Sequence, residues 1–362
     1  MKILSLGLDN SILDKTSALA SRVIEYGNLV KKYIVVVPGQ TNEEMELSEK
    51  VRVYGVGGAG KLVRFWRLYQ MVKKLFLEEK YDVITVQDQY YLALIGVRLS
   101  KKFKVGLEIQ VHGFEKYRGL RKLIAKYVLP RANVVRCVSQ RLKKQLIDDF
   151  GVAPEKITVV PIYIKVKSQK SKVKNNEDKK IFLTVGRLVP VKNIDLQIAA
   201  MAEVVKKYPQ AELWIVGDGP EEEQLKVKSQ KLKVNDKIKF LGKKNKEELA
   251  EIYKKADAFL LTSNSEGWGL AVIEAASYGL PIIMTDVGCA GEVIKNNESG
   301  LIITIGDKQS LIQAMENLLR DEALRQRIGE GARQAVTALP SKQETLNLYL
   351  MSWRKAMDEH RF

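Results

Sequence analysis

The chain has 362 residues, 46% hydrophobic and 28% charged, the balance of a globular protein too long for one average core, so two domains are expected. No apolar run reaches the roughly 18 residues of a membrane-spanning helix, and the start, MKILSLGLDNSILDK, lacks the apolar core and small-residue cleavage site of a secretory signal. Cys137 and Cys289 show no metal-ligand spacing and the histidines are His112 and His360, which excludes a histidine-rich metal site and fits a reducing, cytoplasmic setting.

The charge, 60 Lys+Arg against 43 Asp+Glu, is unevenly placed. Residues 1–165 carry a net +13 and residues 166–362 a net +4, and residues 50–144 hold 22 basic against 6 acidic side chains. Such asymmetry points to an anionic surface or substrate met by the first half.

In chain order, the strand candidates of the first half are KILSLGL (2–8), YIVVVP (33–38), VRVYGV (51–56), DVITVQ (82–87), KVGLEIQVHG (104–113), NVVRCVS (133–139) and ITVVPIYI (157–164). Between them, GKLVRFWRLYQMVKKLFLEEK (60–80) and KYRGLRKLIAKYVLPR (116–131) interleave cations with large apolar residues at helical spacing. The polar, highly charged run from Lys165 to Lys180 has no apolar periodicity and reads as a linker. A second strand series follows: IFLTVG (181–186), AELWIVG (211–217), IKFLG (238–242), AFLLTS (258–263), PIIMTDVG (281–288) and GLIITIG (300–306). EELAEIYKKA and SLIQAMENLLRDEALRQRIGEGA are its helix patterns, and SKQETLNLYLMSWRKAMDEHRF reads as a terminal helix packed on a domain, the N-terminal one being the candidate.

Continuous apolar strands joined by helices imply parallel sheets covered on both faces. The expected architecture is therefore α/β, two Rossmann-like domains at 1–165 and 181–340, a linker at 166–180 and a C-terminal helix at 341–362. Ligands of open parallel sheets bind beyond the C-terminal strand ends, which places the expected site in a cleft between the two halves.

The chemistry concentrates in the second half. In TSNSEGWGLAVIEAASYG, Glu266 and Glu274 lie eight residues apart, separated by a turn of small residues and the start of a helix. Helix-start amides attract phosphate, and carboxylates beside them suit a ligand that carries hydroxyls as well. Arg187 and Lys192, in VGRLVPVKN, supply a planar fork and a mobile point charge for a diphosphate. Gly217 and Gly219, in WIVGDGP, form a turn that turn chemistry alone explains.

The order VGRL…KN, WIVGDGP, FLGKKNKEEL…YKKAD and SNSEGWGLAVIEAASYGLPIIMTDVG resembles the retaining nucleotide-sugar glycosyltransferases of family 4, which have the GT-B architecture. The likeness is close from Ile181 to Ile305 and fold-level from Met1 to Ile164. It implies that Arg187 and Lys192 bind the donor diphosphate, that Glu266 binds the donor sugar's hydroxyls, and that the amides of Gly267, Trp268, Gly269 and Leu270 hold sugar and phosphate. Glu274 then accepts from the ribose, Gly217, Gly219 and Lys243 border the nucleobase, and His112 lies near the sugar's C6 hydroxyl and the acceptor. The family's glycine-rich loop after the first strand is reduced here to Gly7, with Asp9 and Asn10 in place of small residues, which points to an altered acceptor.

The resemblance implies no cofactor: with no Asp-x-Asp metal motif at a strand end, activity in excess EDTA is expected. The implied reaction moves a hexose from a UDP- or GDP-sugar to a glycan, glycolipid or lipid-linked acceptor in surface polysaccharide synthesis. A nucleotide-sugar epimerase or a phosphorylase is the alternative, but two histidines offer an epimerase little, and no pyridoxal-phosphate lysine site is found. A nucleic-acid partner is not expected, because no such module occurs and the positive charge avoids the half with the motifs. The basic aromatic stretches instead suit peripheral contact with an anionic membrane.

Overall fold

The computed structural model describes residues 1–114, 119–164 and 179–360. Of the expected linker only Lys179 and Lys180 fall within that range, and Lys116 to Arg118 of the second basic stretch fall outside it. The chain forms two compact units, residues 1–161 with 341–362, and residues 162–340.

The first unit contains β1 (Lys2–Leu6), α1 (Ala18–Asn28), β2 (Lys32–Pro38), β3 (Glu43–Ser48), β4 (Val51–Val56), α2 (Gly60–Glu78) and β5 (Val83–Val86). It continues with α3 (Tyr91–Phe103), β6 (Gly106–Val111), α4 (Leu120–Val128), β7 (Val134–Cys137), α5 (Gln140–Phe150) and β8 (Ile157–Val159). The sheet runs β3-β4-β2-β1-β5-β6-β7-β8, parallel except where β3 pairs antiparallel with β4. Strands β5, β6 and β7 are buried at every position, the signature of a sheet covered on both faces.

Strand β3, EEMELS, is absent from the predicted series. Its three glutamates conceal a strand pattern that is tolerable only at an edge, where Arg52 of β4 meets Glu44 at 3.1 Å and Glu46 at 3.5 Å. The last predicted strand of this half is also shorter than expected, with the ladder ending at Val159.

The second unit runs β9 (Lys180–Val185), α6 (Ile194–Lys207), β10 (Ala211–Val216), α7 (Glu222–Lys231), β11 (Ile238–Gly242), α8 (Lys246–Lys255) and β12 (Ala258–Leu261). After these come α9 (Leu270–Ser277), β13 (Ile282–Thr285), β14 (Gly300–Ile303), α10 (Lys308–Arg320) and α11 (Glu322–Thr337). Its six strands are all parallel, in the order β11-β10-β9-β12-β13-β14. The order reverses between β9 and β12, and at that switch point the loops leaving two neighbouring strands diverge and open a crevice. The pattern expected as one helix over 310–332 is two, because Asp321 leaves helical geometry and its side chain caps α11 by accepting from the Leu324 amide.

The terminal helix α12 (Lys342–Asp358) packs on β5, β6 and β7 of the first unit. It begins in a capping box of Ser341 and Glu344 and buries Trp353 completely. A buried carboxylate fastens it. Glu108 on β6 accepts from Arg136 Nε at 3.1 Å, Thr85 Oγ1 at 2.5 Å, Trp353 Nε1 at 3.1 Å and the Ser352 hydroxyl.

Candidate active site

Three loops at the C-terminal edge of the second sheet are tied together by backbone bonds. The loop after β9 meets the turn after β10 through Gly186 N to Val216 O at 3.0 Å and Leu188 N to Asp218 O at 2.7 Å. Gly217 has φ of +131°, and a Cβ there would stand 1.8 Å from Gly186 O; at Gly219 it would stand 2.3 Å from Leu188 O. The Gly217–Gly219 turn thus owes its glycines to backbone packing that fixes the Arg187 loop. On the other side, Asn264 N donates to Val191 O at 2.8 Å, and Thr262 Oγ1 donates to Asn193 O at 2.9 Å.

This stitching sets Lys192. Residues Pro190–Lys192 form one 3-10 turn, ended by Asn193 in the left-handed region at φ +48°, and α6 follows at once. Across the β9/β12 switch, Lys192 Nζ donates to Glu266 Oε1 at 2.5 Å, with side chains only 20% and 8% exposed. Ser263 Oγ donates to the same oxygen at 2.6 Å, and Thr285 Oγ1 holds the Ser263 carbonyl at 2.7 Å. Glu266 Oε2 keeps no partner among the described residues. A carboxylate anchored by one oxygen and open at the other can accept hydrogen bonds from a polyol. Sequence reasoning assigned Lys192 to a phosphate and Glu266 to a sugar. In the structure they are each other's partner, joined by Ser263, a residue it did not single out.

Three residues beyond Glu266, Gly269 takes φ +93° as the residue before α9, a conformation that admits little else. The first amides of α9, Leu270 and Ala271, have no acceptor among the described residues, as helix starts leave them. Trp268, expected among the residues offering amides, has its side chain buried at 3% exposure, and its carbonyl accepts from Cys289 N at 2.9 Å. Its indole is therefore part of the packing beneath the loop. Glu274 stands one turn into α9, half-buried, where Tyr253 OH of α8 donates to Oε2 at 3.1 Å. Burial raises the Glu274 carboxyl above the usual glutamate value, against the Tyr253 hydrogen bond and the Lys246 charge, which lower it. Arg187 and Lys243 are both exposed, on the loops after β9 and β11.

On the first unit, His112 follows β6 and is exposed. Its own surface is open to water while protein packs around it at longer range; desolvation first, then Arg136 and Arg22, lower its pKa, so the ring is neutral at pH 7. Gly7 follows β1, but its amide already donates to Val36 O at 3.2 Å, and Asp9 caps the short helix behind it through the Ser11 amide at 3.0 Å. The Gly7 amide is therefore engaged within the sheet. On α2, Leu62 is 85% and Trp66 60% exposed, and on α4 Leu120 and Leu123 are 62% and 66% exposed, with exposed Lys61, Arg67, Lys122 and Lys126 around them. Leu68, Val72 and Phe76 form the buried stripe of α2, so its Trp66 faces outward. Among the described residues no helix is long and apolar enough to cross a membrane.

Comparison with known proteins bears on the family and the fold. The family model for glycosyl transferases group 1 matches residues 165–335, and that for glycosyltransferase family 4 matches residues 30–166. The N-acetyl-alpha-D-glucosaminyl L-malate synthase of Bacillus anthracis is 34% identical over 161 residues, 44% of this chain and 42% of that protein. The alpha-monoglucosyldiacylglycerol synthase of Streptococcus pneumoniae is 28% identical over 259 residues, 65% of this chain and 56% of its own length. The matches thus span about half the length of these two relatives. In structure, sucrose-phosphate synthase from Thermosynechococcus elongatus is similar over 98% of both chains, with a TM-score of 0.80 at 21% identity, which shows a shared fold. With two adjoining family matches running from residue 30 to residue 335, the chain belongs to the group 1, family 4 glycosyltransferases and has the GT-B fold.

Proposed function

We propose that the protein is a retaining, metal-independent hexosyltransferase that uses a UDP- or GDP-sugar and elongates a glycan, glycolipid or lipid-linked acceptor in surface polysaccharide synthesis. The observation that carries this reading is the Lys192–Glu266–Ser263 cluster at the β9/β12 switch, with Glu266 three residues before the glycine that opens α9. Cation, anchored carboxylate and helix start lie together where a sugar diphosphate needs all three.

In this mechanism Arg187 and Lys192 hold the diphosphate, and Glu266 Oε2 accepts from the sugar's hydroxyls. Lys192 has three N–H donors, so it can keep Glu266 while giving the others to phosphate oxygens. Glu274 accepts from the ribose diol. The acceptor oxygen bonds to C1 on the face from which the C1–O bond to phosphate breaks; its proton passes to the leaving phosphate oxygen, and the nucleoside diphosphate departs. Cations preorganised on that oxygen supply most of the rate, about 2.7–4 kcal/mol for each contact. His112, neutral, is assigned to the acceptor side as a hydrogen-bonding group.

The lipid-linked part of the proposal draws on the exposed apolar and basic residues of α2 and α4, and on the relative whose name carries a glucosyldiacylglycerol. An anionic membrane surface suits them, each surface cation adding about 1 kcal/mol. Binding to anionic vesicles should weaken with salt, and equal partition onto neutral vesicles would overturn this part. For the reaction, Arg187→Ala should lower turnover at least about a hundredfold with the fold intact. The product should keep the donor's anomeric configuration, and excess EDTA should leave the rate unchanged. An inverted product, or a near-wild-type folded Arg187→Ala enzyme, defeats the reading.

A further inference from the structure

Glu274 is oriented from outside its own helix. The only protein group on its carboxylate among the described residues is the Tyr253 hydroxyl of α8, 3.1 Å from Oε2. Oε1 keeps no partner among them. Tyr253 is itself immobile: 2% exposed, stacked on Tyr278 with ring centroids 5.1 Å apart, and tilted against Phe259 at 6.4 Å. The phenol comes from α8, a different element from α9, and leaves Oε1 as the free end.

A carboxylate has two oxygens and a freely turning χ3, so presenting one of them to a ligand needs something to fix the other. A buried, ring-stacked phenol does this with little freedom left in the donor. We infer that Tyr253 is a positioning residue: it pins Glu274 Oε2 so that Oε1 faces the 2′,3′-diol of the nucleotide, and it thereby sets the preference for ribose over 2′-deoxyribose. The inference rests on the assignment of Glu274 to the ribose. A site built to bond a hydroxyl rejects the analogue lacking it far more strongly than an apolar site does, because its acceptor is left unpaired.

The test is calorimetric binding to the full chain of UDP, 2′-deoxy-UDP, GDP and 2′-deoxy-GDP, which needs no acceptor. Wild type should prefer one ribonucleotide over its deoxy analogue by at least about tenfold, and Glu274→Gln should remove that preference. Tyr253→Phe keeps the ring and its stack. It should weaken the ribonucleotide about tenfold while moving the deoxy analogue less than about twofold. Tyr278→Phe, which removes a neighbouring hydroxyl and leaves both the stack and the Tyr253–Glu274 bond in place, should keep the preference, and melting curves check that all variants fold. If Tyr253→Phe retains a preference that Glu274→Gln loses, the inference is overturned and the donor-site reading survives. If Glu274→Gln retains it, or no nucleotide binds, the ribose assignment falls and the inference with it.

Discussion

Lys192→Ala removes the cation from a pair that is closed in the free protein. Glu266 stays 8% exposed at its side chain and keeps one bond, from Ser263 at 2.6 Å. Breaking a buried ion pair by deleting one partner costs about 3–5 kcal/mol. The residual Ser263 bond and the 20% exposure of Lys192 bring the expected loss to roughly 2–3 kcal/mol. For a domain of this size that is a fall of about 4–12 °C in the melting temperature of the second unit, measurable by calorimetry. Glu266→Gln in the same background removes the stranded charge and should restore at least about 1 kcal/mol, a coupling read from the double-mutant cycle. A Lys192→Ala protein that melts within about 1 °C of wild type, with no coupling to Glu266, would refute the closed pair.

Other consequences can be checked on the same protein. Gly217→Ala puts a methyl 1.8 Å from Gly186 O at a φ of +131°, so the second unit should lose several kcal/mol, about 3 or more, and fail to yield a sharp melt; a normal melt contradicts the packing. Glu212 accepts from Lys179 at 2.6 Å, Lys239 at 2.8 Å and Trp214 Nε1 at 2.9 Å. Burial acts to raise its carboxyl, but these three donors prevail and hold it down to about 2. Its stabilisation is thus fully present above the ordinary value of 4.5 and is lost as pH falls through about 2; with both lysines half-exposed it amounts to about 1–2 kcal/mol. The difference in urea midpoint between wild type and Glu212→Gln should shrink toward zero over that acid range, and a pH-independent difference would count against it. Glu108→Gln leaves the buried Arg136 without its counter-charge, a loss of about 3–5 kcal/mol, and hydrogen exchange should show α12 opening first; unchanged protection of α12 would be the contrary result.

Much of the fold was legible because a parallel sheet writes itself as continuous apolar runs. Strand β3 escaped because an edge strand in water carries glutamates, and one long helix pattern hid the break at Asp321, since a cap residue does not interrupt the apolar period. Glu108 and Arg136 were visible as charges inside apolar strands, KVGLEIQV and NVVRCV, and that intrusion was the available sign of a buried pair. At the site, the order of Arg187, Lys192, Glu266 and Glu274 was readable, but their partners were not. Lys192 and Glu266 are 74 residues apart in sequence and meet because β9 and β12 are neighbours at the switch point. Tyr253 had no local signal either. Its hydroxyl reaches Glu274 only because α8 and α9 flank β12, a fact of topology that the helix period of EELAEIYKKA does not contain.

If the second unit binds a sugar nucleotide through Arg187, Lys192 and Glu274, a bound sugar nucleotide should raise its melting temperature. A thermal-shift panel of UDP-, GDP- and ADP-sugars tests it most directly, since a ligand at about 100 times its dissociation constant adds roughly 2.7 kcal/mol, about 5–11 °C for a domain of this size. Such a shift is expected with a UDP- or GDP-sugar, in EDTA, together with its loss in folded Arg187→Ala and Glu274→Ala proteins. No shift with any sugar nucleotide, or a shift that both variants retain, would contradict it.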